Sequence, residues 1–117
     1  MIISRFNEAR EFQTPEGIMK PLFVSDELKV IFLRIPAGLK VHPHSHPGPG
    51  NFLLLKGSVI LHANDPVLLQ EGDFAHIPAG YAIGLESRTE AEALLISSPS
   101  SFHSIEELCK KLEKFQK

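Results

Sequence analysis

The chain has 117 residues and a formal net charge of −2 when its histidines are neutral. That length suits one domain with a single modest core, and hydrophobic and charged shares of 43% and 22% are ordinary for a globular protein. Without a basic excess, nucleic acid is a poor candidate for the partner. We expect a cytoplasmic protein with no membrane partner, because no apolar run could span a bilayer, the start MIISRFNEAR is unlike a secretory signal, and the single Cys109 allows no internal disulfide.

Short apolar runs separated by turn residues follow one another along most of the chain. Gly, Pro, Asn and Asp mark the turns, and no helical pattern lies between the runs. The pattern therefore predicts an all-β barrel or sandwich. Segment 1–27 includes the turn TPEG and is interpreted as an edge segment of the same domain. The predicted strands cover residues 28–35, 51–57, 58–63, 66–70, 73–77, 81–86 and 92–97.

The C-terminal segment, 101–117, carries the one helical pattern. Ser104 followed three residues later by Glu107 is a capping box, which predicts the helix start. We expect Cys109 to serve as a core residue, because it lies on the apolar stripe of this helix. The stripe has near-3.6 spacing and consists of Ile105, Leu108, Cys109, Leu112 and Phe115.

The stretch HPHSHPGPGN places three histidines at alternate positions. In an extended chain all three side chains would leave the same face. The outer two, His42 and His46, would have Cα atoms roughly 13 Å apart. Ring nitrogens must approach a zinc ion to about 2.0–2.1 Å, so one ion held by all three requires a bend, which the neighbouring prolines allow. Spacing alone therefore favours a neighbouring pair, either His42 with His44 or His44 with His46.

Residues 36–87 resemble the cupin family. The first cupin motif is matched from Gly38 to Gly57. It consists of Gly, five residues, His-x-His, three or four residues, Glu, six residues and Gly. The second cupin motif is matched from Gly72 to Ser87. It consists of Gly, five residues, Pro-x-Gly, two residues, His, three residues and Asn. The resemblance implies an all-β, cupin-like jelly-roll β-barrel over residues 28–100 with a short C-terminal α-helix. It also implies a homodimer, since such barrels often assemble in pairs.

Two of the four metal ligands of the cupin motifs are missing from this chain. Gly50 stands in the place of the glutamate, and Ile83 in the place of the second-motif histidine. The resemblance therefore carries over only His44 and His46, which leaves His42 as an expected bystander on the pocket wall. If His76 points into the barrel, these three histidines would form a metal site with open positions. A metal-free pocket lined by histidines is the alternative.

The replacement of a glutamate by glycine and a histidine by isoleucine changes the shape and polarity of the expected pocket. Such a pocket suits a small, partly apolar ligand with one or two polar groups. Asn51 offers an amide oxygen, which is a weak metal ligand. The residues expected around the pocket, besides the candidate ligands, are His42, Asn51, Phe52, Leu54, Tyr81 and Ile83.

Two functions from different classes fit this pocket. The missing glutamate and histidine favour a non-catalytic binding or sensing module for a small molecule. The density of histidines keeps open a metal-dependent enzyme, dioxygenase- or isomerase-like, acting on a small organic substrate. Three imidazoles suit several ions, so the cofactor is one divalent ion of Zn, Fe, Ni or Mn, or none.

Overall fold

The computed structural model describes residues 1–116 and consists mainly of antiparallel strands. One α-helix, α1 (Ile105–Leu112), follows the last strand, and short 3-10 helices lie at Phe6–Glu8 and Glu113–Phe115. The strands are β1 (Phe12–Thr14), β2 (Gly17–Val24), β3 (Lys29–Ile35), β4 (Lys40–His44), β5 (Gly50–Lys56), β6 (Val59–His62), β7 (Pro66–Leu69), β8 (Phe74–Ile77), β9 (Ile83–Glu86) and β10 (Ala91–Ser97).

The strands form two antiparallel sheets. The larger has the order β1-β2-β3-β10-β5-β8, and the smaller has the order β4-β9-β6-β7. This arrangement confirms the predicted cupin-like jelly-roll fold, with one difference: over residues 1–116 the sheets do not join into a closed barrel. Between β4 and β5, which lie in different sheets, the chain contains Pro47 and Pro49, which have no N–H group to continue a ladder.

The main core lies between the two sheets. Side chains alternate across each strand, so the core residues of each facing strand lie two positions apart. The larger sheet contributes Leu33, Ile35, Phe52, Leu54, Ala91 and Ala93, and the smaller contributes Val59, Leu61 and Leu69. This inner face is the one from which a side chain can reach the space between the sheets.

Helix α1 covers a second apolar cluster at the β1–β2 end of the larger sheet. Its buried residues Leu108 and Leu112 pack with Phe12, Val24 and Ile31. The helix begins where the capping box predicts, because the Ser104 hydroxyl accepts a hydrogen bond from the Glu107 N–H at 3.2 Å. It is shorter than segment 101–117, whose last residue, Lys117, lies outside the described residues.

The single thiol, that of Cys109, lies on helix α1. Cys109 is half-buried beside the apolar cluster, and burial raises its pKa, which keeps the thiol protonated and inert. No helix within residues 1–116 has the length and apolar character needed to cross a membrane.

The N-terminal segment forms the edge of the larger sheet. Strand β1 lies at the edge, and β2 pairs with both β1 and β3. Strand β2 does not show a simple alternating pattern, because its register shifts between Pro21 and Phe23 and because Lys20 is buried on the outer face. The Lys20 ammonium lies 3.8 Å from the centroid of the Phe6 ring and donates to the Phe6 carbonyl at 3.1 Å.

Candidate functional site

A cavity of about 510 Å³ lies between the two sheets. That volume is within the range of small-molecule sites. Its wall combines Phe52 of the larger sheet, Ile83 of the smaller sheet and Leu108 of helix α1. The segment Pro47–Gly50 between β4 and β5 also lines it. The cavity therefore has contributions from every layer of the fold.

A β-bulge in β4 directs His44 into this cavity. Val41 lies opposite Leu85 and His44 lies opposite Ile83, so two residues of β4 face the single Gly84 of β9. Gly84 is required there, because a Cβ atom would lie 2.6 Å from the Val41 carbonyl oxygen. The extra residue shifts the alternation of β4, and both Val41 and His44 line the cavity.

The same bulge separates His42 from the other two histidines. His42 is exposed and is not among the residues that line the cavity. Its carbonyl oxygen accepts a hydrogen bond from Nδ1 of His44 at 3.0 Å. A carbonyl cannot donate, so the Nδ1 atom of His44 must carry the proton, and Nε2 is the nitrogen available to a ligand.

Glu16, in the β1–β2 turn, supplies a carboxylate to the same place. The Thr14 hydroxyl accepts from the Glu16 N–H at 3.1 Å and donates to the Gly17 carbonyl at 2.7 Å, which fixes the turn. Gly17 has φ +121°, and a Cβ atom there would lie 2.8 Å from the Arg34 carbonyl oxygen. The backbone of the turn thus determines where the Glu16 carboxylate lies.

The three side chains together form a group with metal-ligand geometry. One ligand atom from each of Glu16, His44 and His46 lies within 4.8 Å of the other two. Oε2 of Glu16 is 3.4 Å from Nε2 of His44. Two ligands that each lie about 2.1 Å from a tetrahedral ion are about 3.4 Å apart, so this pair already has the required separation.

The charges in this group also favour a cation. A neutral His44 with its proton on Nδ1 presents the Nε2 lone pair to the Glu16 carboxylate. Two lone pairs that face each other repel unless a proton or a metal ion lies between them. The His46 ring stands nearly edge-on to that of His44, with centroids 4.7 Å apart and an interplanar angle of 70°.

The structure does not bring His76 into this group. His76 follows Ala75, which packs on the core, so the His76 side chain leaves the opposite, outer face of β8. Its Nδ1 donates to Oδ1 of Asn51 at 2.8 Å, and the Asn51 amide donates to the Ile96 carbonyl at 3.0 Å. Both polar groups are thereby satisfied by each other and by the backbone.

The other expected pocket residues lie in three kinds of place. Asn51, Phe52 and Ile83 line the cavity. Leu54 is fully buried in the core between the sheets and does not line the cavity. Tyr81 is 42% exposed and lines a smaller recess that it shares with His76 and Ile83.

Sequence reasoning did not single out Glu16. The one signal was the TPEG turn, which predicts a reversal of the chain but not its neighbours in space. Glu16 lies in a turn of the larger sheet and His44 in a strand of the smaller sheet, so no pairing register links them. Only the packing of the sheets brings the carboxylate close to the histidines.

Two antiparallel sheets around a ligand-sized cavity with a histidine-bearing wall define a jelly-roll protein with an internal site. The chain belongs to the cupin family, because the family model of the cupin domain matches residues 31–99. No curated protein sequence matches this chain significantly.

Three solved structures share the fold at low sequence identity. An RmlC-like cupin from Shewanella frigidimarina NCIMB 400 has a TM-score of 0.80 and 16% identity over 86% of this chain and 93% of its own. KdgF from Halomonas sp. has a TM-score of 0.78 and 15% identity over 86% and 94%. Oxalate decarboxylase from Bacillus subtilis, which has Mn(II) centres, has a TM-score of 0.70 and 19% identity over 87% of this chain and 31% of its own.

Proposed function

We propose that this protein binds one divalent metal ion through Glu16, His44 and His46 and a small organic ligand in the adjoining cavity. The observation that carries the proposal is the convergence of the three ligand atoms within 4.8 Å on the cavity wall. Two imidazoles and one carboxylate suit zinc, iron, nickel and manganese. The Mn(II) centres of oxalate decarboxylase, a protein of the same fold, are consistent with this set of ions.

The hydrogen bond of His44 supports the assignment of its Nε2 as a ligand. Metal-binding histidines usually donate their other ring N–H to a carbonyl or carboxylate, which orients the ring and raises its basicity. His44 makes such a bond to the His42 carbonyl. The bulge therefore orients the His44 ring, and the hydrogen bond to the His42 carbonyl leaves the Nε2 lone pair free to bind a metal ion.

Exposure of the site favours binding or sensing over catalysis. The side chains of His44 and Glu16 are each 40% exposed, and His46 is exposed as well. Catalysis at a metal usually depends on a closed site that excludes water. An open site exchanges ions and ligands readily, which suits a module that reports their presence.

The test is the metal content of the protein purified without a histidine tag. Chelator-treated protein is incubated with Mn²⁺, Fe²⁺, Ni²⁺ or Zn²⁺, freed of excess ion and analysed for metal. We expect about one equivalent of at least one ion in the wild type. The double variant His44→Ala/His46→Ala should retain none.

The matched control is His62→Ala. His62 also contacts a glutamate, Glu86, at 3.1 Å, but it lies on the outer face of the smaller sheet, so its loss should leave the metal content unchanged. A wild type that stays metal-free with all four ions contradicts the proposal. So does a double variant that binds as much metal as the wild type.

One observation favours a second function, that of a metal-dependent oxygenase. Two histidines and one carboxylate on the same ion, with the remaining positions open, form the ligand set of many non-haem iron oxygenases. The test is oxygen uptake by the Fe(II)-loaded protein with a panel of small organic acids. Uptake in the wild type that is absent from His44→Ala would favour the enzyme. Equal uptake in both would exclude this assignment.

A further inference from the structure

Two lysines line the same cavity as the proposed metal ligands. Lys29 is the first residue of β3 and shares the inner face of that strand with Ile31 and Leu33. Lys111 comes from helix α1, which covers this end of the sheet. Two positive charges therefore border a cavity that is otherwise mostly apolar.

Both ammonium groups lie next to one aromatic ring. Nζ of Lys29 and Nζ of Lys111 are each 5.3 Å from the centroid of the Phe102 ring. A ring face attracts a cation only weakly compared with a carboxylate. Lys29 is half-buried, and its pKa is lowered by burial and then by Lys111, while Glu16 offsets only part of this effect.

Among residues 1–116, neither lysine has a carboxylate within ion-pair distance. Neither forms an ion pair with a carboxylate there, whereas the buried Lys20 lies 3.6 Å from Glu11. A half-buried ammonium beside a second ammonium reduces the stability of the fold. Such a loss of stability is typical of a charged group whose function is to bind a ligand of opposite charge.

We propose that Lys29 and Lys111 bind the acidic group of the cavity's ligand, so that the ligand is a small organic anion with an apolar body. This inference rests on the proposed function in one respect, namely that the cavity is a ligand site. The apolar wall accommodates the body of the ligand, and the two ammonium groups bind its carboxylate or phosphate. Ser97, which lies opposite Lys29 in the sheet and lines the cavity, adds a hydroxyl donor.

The experiment compares anions with neutral molecules of the same shape. Binding of benzoate, hexanoate and phenyl phosphate to the chelator-treated full chain is measured by NMR titration, beside benzamide and hexanamide. We expect at least one anion to bind about tenfold or more tightly than its neutral counterpart, the factor that corresponds to one hydrogen bond between charged groups. Benzoate against phenyl phosphate tells whether the site prefers a carboxylate or a phosphate.

Substitutions of the two lysines test whether they cause the preference for anions. Lys29→Met and Lys111→Met should each abolish most of the preference for the anion, and Lys29→Arg should retain it. The matched control is Lys110→Met, the neighbouring lysine of α1, which does not line the cavity. Circular dichroism and a melting curve of each variant separate a loss of binding from a loss of folding.

The proposal is wrong if no anion of the series binds at about 10 mM. It is also wrong if anions bind no better than their amides, or if Lys29→Met keeps the full preference. Because these titrations use metal-free protein, their failure is distinct from a failure of metal binding. If the protein binds a metal ion but no anion, the proposed metal site stands and the proposed anion site at the two lysines is wrong.

Discussion

Two histidine–glutamate pairs in this molecule have nearly the same local chemistry but different surroundings. His44 and Glu16 lie 3.4 Å apart on the wall of the cavity. His62 and Glu86 lie 3.1 Å apart on the outer face of the smaller sheet. In the first pair a second imidazole, that of His46, is close enough to share an ion.

Within residues 1–116, the second pair has no second imidazole beside it and lies close to two basic side chains. Arg88 lies 3.8 Å from Glu86, and the charge of Lys40 also lowers the pKa of that carboxyl, after the larger effect of its hydrogen bond with His62. A metal ion near Glu86 would be repelled by these groups. The comparison shows that an imidazole beside a carboxylate is not by itself a metal site. The third ligand, the imidazole of His46, is what distinguishes the pair at the cavity.

The largest expected difference between the pairs is in metal affinity. Glu16→Gln keeps the shape of the side chain but removes the charge of the carboxylate, so the dissociation constant for Mn²⁺ should rise about 100-fold. Glu86→Gln, the same change in the other pair, should leave the dissociation constant unchanged. The measurement is a titration followed by electron paramagnetic resonance. Equal effects of the two substitutions would erase the distinction between the pairs.

A second substitution tests whether the position of the carboxylate in the chain matters. Gly50 lies on the inner face of β5, and a Cβ atom there would meet nothing within 4 Å. We expect Gly50→Glu, placed in the Glu16→Gln protein, to restore Mn²⁺ affinity by about tenfold, since it supplies the carboxylate from the neighbouring strand segment. The same titration measures it.

The control for this rescue is Gly50→Gln in the same Glu16→Gln protein. The added amide matches the shape of glutamate without its charge, and it should restore little affinity. If both substitutions at position 50 have the same effect, the charge of the carboxylate is not what the site requires.

A smaller effect should appear in the acid stability of the second pair. The pKa of Glu86 is lower in the folded protein than in the unfolded chain, chiefly because His62 donates a hydrogen bond to it. Its contribution to stability is therefore present above the ordinary glutamate pKa of about 4.3 and is lost as pH falls through the folded-state value. The melting temperature of the wild type should exceed that of Glu86→Gln near neutral pH, and the difference should shrink in acid. A difference that is constant with pH would refute this account.

The smallest effect concerns a third, fully exposed pair, His103 and Asp26, which joins the segment before α1 to the β2–β3 turn. The hydrogen bond with Asp26 raises the pKa of His103 above that of the free side chain. Its contribution to stability is thus complete below the ordinary histidine pKa of about 6.5 and is lost as pH rises through the folded-state value.

Asp26→Asn should lower the midpoint of the His103 titration, followed through its ring protons by NMR. Glu27→Gln, an exposed carboxylate one residue away, is the control and should change the midpoint less. A midpoint that does not respond to Asp26→Asn would mean that the contact does not persist in solution.

Much of the fold could be predicted from local patterns. The strands β3, β5, β6 and β10 fall within a residue or two of the predicted runs, because alternation along a half-buried strand is a local property. Strand β4 escaped prediction, since Pro43 and a bulge interrupt its alternation. The helix start was predictable for the same local reason, because Ser104 caps it through a residue three positions away.

The candidate site was predictable only in part. Spacing excludes the outer pair, His42 and His46, since the reach of an imidazole is short and the rise of a strand is fixed, and the resemblance to the cupin motif then favours His44 and His46. The His76 ligand hypothesis depends on which face of its strand points inward, and the structure places His76 on the outer face of β8, beside Asn51. The position of the Glu16 carboxylate was not predictable, because the histidines beside it follow or belong to a strand of the other sheet.

The sequence by itself therefore determined the elements, the jelly-roll class and the pair of histidines that share a face. Tertiary structure alone decided which carboxylate joins them and which cations border the cavity. The physical reason is the range of the interactions. Periodicity, capping and turn chemistry act over a few residues, whereas Glu16, Lys29 and Lys111 reach the cavity through the packing of two sheets and a helix, which no short pattern encodes.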